Sequence, residues 1–124
     1  MLQRAASKIL PYLSRSFPVI AITGPRQSGK TTLACSHFRD YEYFSLEDLD
    51  IRLEVQEDPR GFLRRRRSGF ILDEVQHVPS LFSYLQTHVD ASGKMGEVVI
   101  SGSQNLLLME RLSQSLAGRV GLLE

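Results

Sequence analysis

A single cysteine, Cys35, excludes an internal disulfide, and no Cys/His spacing matches a zinc site. A reducing, cytoplasmic setting is the simpler expectation. No apolar stretch approaches the roughly 20 residues that a bilayer-spanning helix needs. The N-terminal stretch MLQRAASKILPYLSRS interrupts its apolar positions with Arg4, Lys8 and Arg15, so it lacks the continuous core of a signal peptide. Neither export nor membrane partnership is expected. Charge of one sign is missing too: 15 Lys and Arg face 14 Asp and Glu, a formal net charge of +1 that gives no global pull toward nucleic acid. Any basic function has to be local. The 124 residues, 42% of them hydrophobic, suit one domain over 1–124 with one ordinary core, and no internal repeat appears.

What is present is a rhythm. Leu2, Ala5, Ala6, Ile9, Leu10 and Leu13 recur at helical spacing and predict an amphipathic helix over about 2–14, which Pro11 should kink or end. PVIAIT then reads as a strand buried on both faces. A helix from GKTT to about Phe38 is followed by a YEYFSL strand. Ser45 is placed to cap a helix from Leu46 to about Gln56, and Asp58 with Pro59 restarts a helix through FLRRRR that Ser68 and Gly69 end. FILDEV is the next strand, and Pro79 opens a helix with Leu81, Phe82, Leu85 and Val89 on one face. EVVIS, the helix NLLLMERLSQSLAG closed by Gly118, and the strand RVGLLE complete the chain. Strands alternating with helices imply an α/β fold whose parallel sheet is covered on both faces.

The strongest signal is GPRQSGKTT. Gly24, Gly29, Lys30 and Thr31 fill every fixed position of G-x-x-x-x-G-K-[ST], after an apolar strand and before a helix. The glycines let the backbone bend so that successive N–H groups face phosphate oxygens, and the helix N-terminus adds partial positive charge. Lys30 is expected on the β- and γ-phosphates and the Thr31 hydroxyl on Mg²⁺. Gly24, Pro25, Arg26, Gln27, Ser28, Gly29, Lys30, Thr31 and Thr32 are therefore the candidate nucleotide-contacting residues. Of these, Arg26, Gln27 and Ser28 contribute backbone contacts only, and Thr32 also continues the helix.

A cradle that spends its phosphate needs a metal and an activated water, hence an acid at the end of another apolar strand. ILDE supplies Asp73 to hold the Mg²⁺ shell and Glu74 to polarise the attacking water. Adjacent Asp and Glu suit hydrolysis better than transfer to a second substrate, and no Asn-Lys-x-Asp run for guanine is present, so ATP is the expected nucleotide. A solvated strand end is the alternative for this pair. Gln76 and His77 are expected to be structural or surface residues.

Later residues are more ambiguous. SGSQN follows an apolar strand, where Ser103 or Gln104 would sense the γ-phosphate, or else Ser103 or Asn105 simply caps the next helix. Arg119 is either an arginine that meets the γ-phosphate, in cis or in trans, or a charged strand-end residue. Arg64 to Arg67 should point all round the end of their helix, mostly solvated, with nucleic-acid contact as the sharper alternative. No aromatic interleaving supports stacking on single strands. Cys35 is expected as a small core residue.

Taken together, ITGPRQSGKTTL, YFSLED, ILDEVQHVP, ISGSQNLLL and SLAGRVGLLE resemble, in order and spacing, the ATPase part of a bacterial and archaeal group of AAA-superfamily proteins that carry an uncharacterised C-terminal domain. The resemblance implies a P-loop NTPase three-layer sandwich with a mostly parallel five-stranded sheet of order 5-1-4-3-2. It also implies ATP and Mg²⁺ binding, a Walker A loop at Gly24 to Thr31, a Walker B acid at Asp73 with Glu74 and a sensor in the GSQ stretch, and it draws attention to Arg119 of the LAGR motif; a homo-oligomer is a further candidate partner. Members of the group usually continue past the LAGR strand into the region that recognises partners. Three readings follow: an Mg²⁺-dependent ATPase, a nucleotide-binding module that does not turn over without that region, and an ATP-switched nucleic-acid binder acting through Arg64 to Arg67.

Overall fold

The computed structural model describes residues 2–25, 29–67, 69–103 and 105–124, with the side chains of 2–7 and 106 also outside the description. In chain order the elements are α1 (Leu2–Ser16), β1 (Val19–Thr23), α2 (Lys30–His37), β2 (Glu42–Ser45), α3 (Leu49–Glu57) and α4 (Pro59–Arg64). They continue with β3 (Phe70–Asp73), a 3-10 turn (Val75–His77), α5 (Leu81–Ser92), β4 (Val98–Gly102), α6 (Leu106–Ser115) and β5 (Val120–Leu123). The 5-stranded sheet has the order β2-β3-β4-β1-β5, every pairing parallel. It is the expected order read from the other edge, and its strands are wholly rather than mostly parallel.

Strand alternation builds two cores from one sheet. Val19 and Ala21 of β1 face one side with Phe70, Leu72, Val98 and Ile100, against residues of α3, α4, α5 and α6. Ile20 and Ile22 face the other side with Ile71 and Val99, against Leu10 and Leu13 of α1 and Leu33 and Ala34 of α2. The result is the three-layer P-loop sandwich, with every strand's carboxyl end on the same edge. No described helix is long and apolar enough to cross a membrane.

Several local expectations are corrected. α1 runs through Pro11 to Ser16, so of the two effects expected of Pro11 it does not end the helix. Leu10 and Leu13 are both buried on the sheet, and burial of about 1.5–3 kcal/mol per leucine outweighs an interior proline's cost of about 3 kcal/mol. Ile9, placed on the apolar face by its spacing, is exposed. The cap of α3 is Asp48, whose carboxylate accepts from the Asp50 N–H, while Ser45 only accepts from Glu47 in the preceding turn. Cys35 is exposed, because Leu33 and Ala34 take the buried face of α2. α4 ends at Arg64, so the arginine run leaves the helix almost at once.

Candidate functional site

At the end of β1 the Gly24 N–H donates to the Gly102 carbonyl at 3.3 Å, which ties the start of the loop to the end of β4. Arg26, Gln27 and Ser28 lie outside the described residues. The loop re-enters at Gly29, in the left-handed region at φ 83, where a side chain would be strained, and α2 begins at Lys30. Lys30 is buried, whereas Pro25 and Thr32 are exposed.

β3 delivers the acids beside it. Asp73 ends the strand and is 5% exposed; Glu74, the next residue, is 6% exposed. Thr31, 42 positions earlier in the chain, donates its hydroxyl to Asp73 Oδ2 at 2.9 Å. Lys30 Nζ lies 3.8 Å from Glu74 Oε1, both side chains being buried. The two short motifs thus form one cluster of two pairs, each joining the start of α2 to the end of β3, at the sheet edge where open α/β folds collect ligands.

Glu74 is the single described non-glycine residue with positive φ, at φ 60 and ψ 50. That left-handed backbone costs about 1–2 kcal/mol for an L-residue, and such strain clusters at functional sites. The bend that sets it up is the abrupt change from strand to 3-10 turn at Val75. Two buried oxygens near the cluster, Thr23 Oγ1 and Gln76 Oε1, have no hydrogen-bond partner among the described residues. Buried oxygens without partners beside a cationic loop are what a ligand or its ordered waters would satisfy.

Three contributors escaped the sequence. Tyr43 of β2 donates its hydroxyl to Asp73 Oδ2 at 2.6 Å, reaching diagonally from its register partner Ile71. Burial, and then the carboxylate it bonds, push its phenol well above the ordinary value. Ser101 of β4 donates its hydroxyl to Asp73 Oδ1. Gln76 Nε2 donates to Glu74 Oε1 at 3.2 Å, and its Oε1 would lie 2.6 Å from a Cβ on Gly102, so a side chain there would have to displace the Gln76 amide. Alternation in YEYFSL and the polar residue within EVVIS were the available signals, but neither says which neighbour is opposite. Although Cys35 is exposed, partial loss of solvent around its thiol and then the nearby Asp73 charge raise its pKa.

The remaining expectations separate. Ser103 follows β4 half-buried, Gln104 is outside the described residues, and the α6 cap is Asn105, which accepts from the Leu108 N–H at 2.8 Å. Arg119 is not brought to the cluster. It precedes β5, its carbonyl accepting from Val19 at the start of β1, a full strand or roughly 15 Å from the loop. There its guanidinium grips Asp90 through two bonds of 2.7 and 2.9 Å. A role for Arg119 in cis is therefore corrected by its position at the amino end of the sheet.

The arginine run is likewise divided rather than massed. Arg65 pairs with Glu54 at 3.3 Å and Asp58 at 3.8 Å. The Arg66 guanidinium lies against two rings, 4.8 Å from the Phe44 centroid and 4.6 Å from that of Phe62. Arg64 and Arg67 are exposed.

Among the described residues no group of three or more His, Cys, Asp and Glu side chains is placed to hold a metal. The donor set at the cluster, one hydroxyl and one carboxylate, instead fits Mg²⁺, which is commonly held by one or two protein groups together with substrate phosphates and water.

Comparison with known proteins agrees with this fold. The sequence model of a family described as an AAA domain matches residues 16–124. Two mycobacterial proteins, Uncharacterized protein Rv2008c of Mycobacterium tuberculosis and Uncharacterized protein Mb2031c of Mycobacterium bovis, are each 34% identical over 121 residues. The alignment covers 97% of this chain and 27% of theirs, so the chain spans about a quarter of the length of these relatives. A crystal structure of a DNA replication initiation factor superposes with a TM-score of 0.57 at 18% identity, covering 98% of this chain and 44% of that one; this likeness is one of fold.

Proposed function

This chain belongs to the AAA domain family, and from that premise we propose that it binds ATP with Mg²⁺ and hydrolyses it to ADP and phosphate. The observation that carries the reading is the convergence of Lys30 and Thr31 with Asp73 and Glu74, two pairs formed between residues far apart in sequence at one end of the sheet.

Each residue's part follows from its present partner. Lys30 neutralises Glu74, and a triphosphate in the loop would draw that ammonium onto its β- and γ-oxygens. Glu74 then loses its counter-charge while keeping the Gln76 bond, and its carboxylate is free to accept a proton from water. Thr31 Oγ1 would offer a lone pair to Mg²⁺ while its O–H still donates to Asp73 Oδ2. Asp73 would hold the metal's water shell. When bound, Mg²⁺ supplies charge neutralisation at the phosphate oxygens. Arg119, placed away from its own loop, is assigned to act in trans in a homo-oligomer, which requires release from Asp90.

Glu74→Gln is the test. Phosphate release should fall about 10²- to 10⁴-fold with ATP affinity retained. Turnover that ignores the substitution would remove Glu74 from the chemistry, and ATP binding with no release above background in the unaltered chain would select the non-hydrolysing module.

A further inference from the structure

The carboxylate of Asp73 receives more hydroxyl groups than the proposed metal site requires. Oδ2 accepts from Thr31 at 2.9 Å and from Tyr43 at 2.6 Å, and Oδ1 accepts from Ser101. An ionised carboxylate offers about four accepting positions, two on each oxygen. Among the described residues, Oδ2 is therefore filled and one position remains on Oδ1.

Tyr43 is also not a core residue. The residue is 42% exposed on the edge strand β2, whereas its neighbour Phe44 turns to the other face and packs edge-on against Phe62. Burial gains the protein little at Tyr43, and the feature that fixes its orientation is the hydroxyl bond to Asp73. Ser101 comes from β4 on the opposite side of β3, so hydroxyls from both neighbouring strands hold the carboxylate from two directions.

We propose that Tyr43 is a positioning residue for the metal: by occupying the second site on Oδ2, it fixes Asp73 in the rotamer that leaves only the open Oδ1 position for a water of the divalent cation. The inference rests on the Mg²⁺ role proposed for Asp73. Partners that orient a metal-binding group commonly change metal affinity by about 10- to 100-fold when removed. Tyr43→Phe keeps the half-exposed ring and deletes only the hydroxyl, so the fold has little reason to change.

The test is calorimetric titration of ATP into the unaltered chain, Tyr43→Phe and Asp73→Asn, first in EDTA and then across a Mg²⁺ series. The expected result for Tyr43→Phe is an ATP affinity in EDTA within about twofold of the unaltered chain, with the half-saturating Mg²⁺ concentration raised about tenfold. Asp73→Asn should lose the Mg²⁺-dependent gain. A normal Mg²⁺ response in Tyr43→Phe, where Asp73→Asn has lost it, would overturn the positioning role and leave the metal reading standing. Equal loss of affinity with and without Mg²⁺ in Tyr43→Phe would overturn it in favour of a purely structural tyrosine. Absence of any Mg²⁺-dependent gain in the unaltered chain would remove the metal reading, and this inference with it.

Discussion

At the amino end of the sheet, Glu97 sits just before β4, 5% exposed, with every polar group engaged. Its carboxylate meets His88 Nε2 at 2.8 Å and accepts from the Ser92 hydroxyl; its carbonyl accepts from Gly69 and Phe70, and its N–H donates to Pro18. At the carboxyl end, Asp73 and Glu74 are buried to the same degree, but their surroundings differ in kind. Glu74 has a left-handed backbone and a lysine counter-charge at 3.8 Å, too long for a hydrogen bond, and orphan oxygens of Thr23 and Gln76 lie nearby. A carboxylate whose partners are complete fastens strands and helix together. One held under strain among incomplete partners is arranged for something that is not yet there.

The contrast should be largest in turnover. Glu74→Gln is expected to lower phosphate release about 10²- to 10⁴-fold, and Glu97→Gln, which keeps the shape at the other end, should leave it within about twofold. Paired phosphate-release assays would show this, and comparable losses in both variants would erase the distinction. Stability should run the other way. Glu97→Ala strands the His88 and Ser92 groups and is expected to cost about 1–3 kcal/mol in denaturant unfolding, with ATP affinity preserved in whatever fraction is folded.

The smallest effect belongs to Arg119 and Asp90, also at the amino end. The Arg119 guanidinium holds the exposed Asp90 carboxyl below its usual range. A carboxylate with a depressed folded-state pKa stabilises above its unfolded-state pKa, and that contribution fades as pH falls through the folded-state value. Asp90→Asn should therefore melt slightly below the unaltered chain at neutral pH and low salt, and coincide with it in acid or at high salt. A difference that persists in acid would mean the pair is not acting through its charge.

How much of this was readable beforehand depended on what each feature needs. Gly24, Lys30, Thr31, Asp73 and Glu74 were legible because a loop between a strand and a helix, and an acid at a strand end, are written in consecutive residues. Tyr43 and Ser101 were not, because their meeting at Asp73 depends on which strands are neighbours and in what register. Gln76 required the turn at Glu74 that folds it back toward Gly102. Arg119 was read as the first residue of the RVGLLE strand, which begins one residue later at Val120, and which end of the sheet that strand presents decides what the guanidinium can reach. Arg66 reads as part of a basic run until Phe44 and Phe62 are brought beneath it. Local chemistry was in the spelling, and reach across strands was in the topology.

The central claim is that the carboxyl end of the sheet is a nucleotide site built on Lys30. Titration of ATP with Mg²⁺ into the unaltered chain, beside folded Lys30→Ala, tests it most directly. Saturable binding weakened at least about 10- to 100-fold by the substitution, as expected for losing a charged hydrogen-bond donor, is the predicted result. Binding that is indifferent to Lys30, or no saturable binding at all, would contradict it.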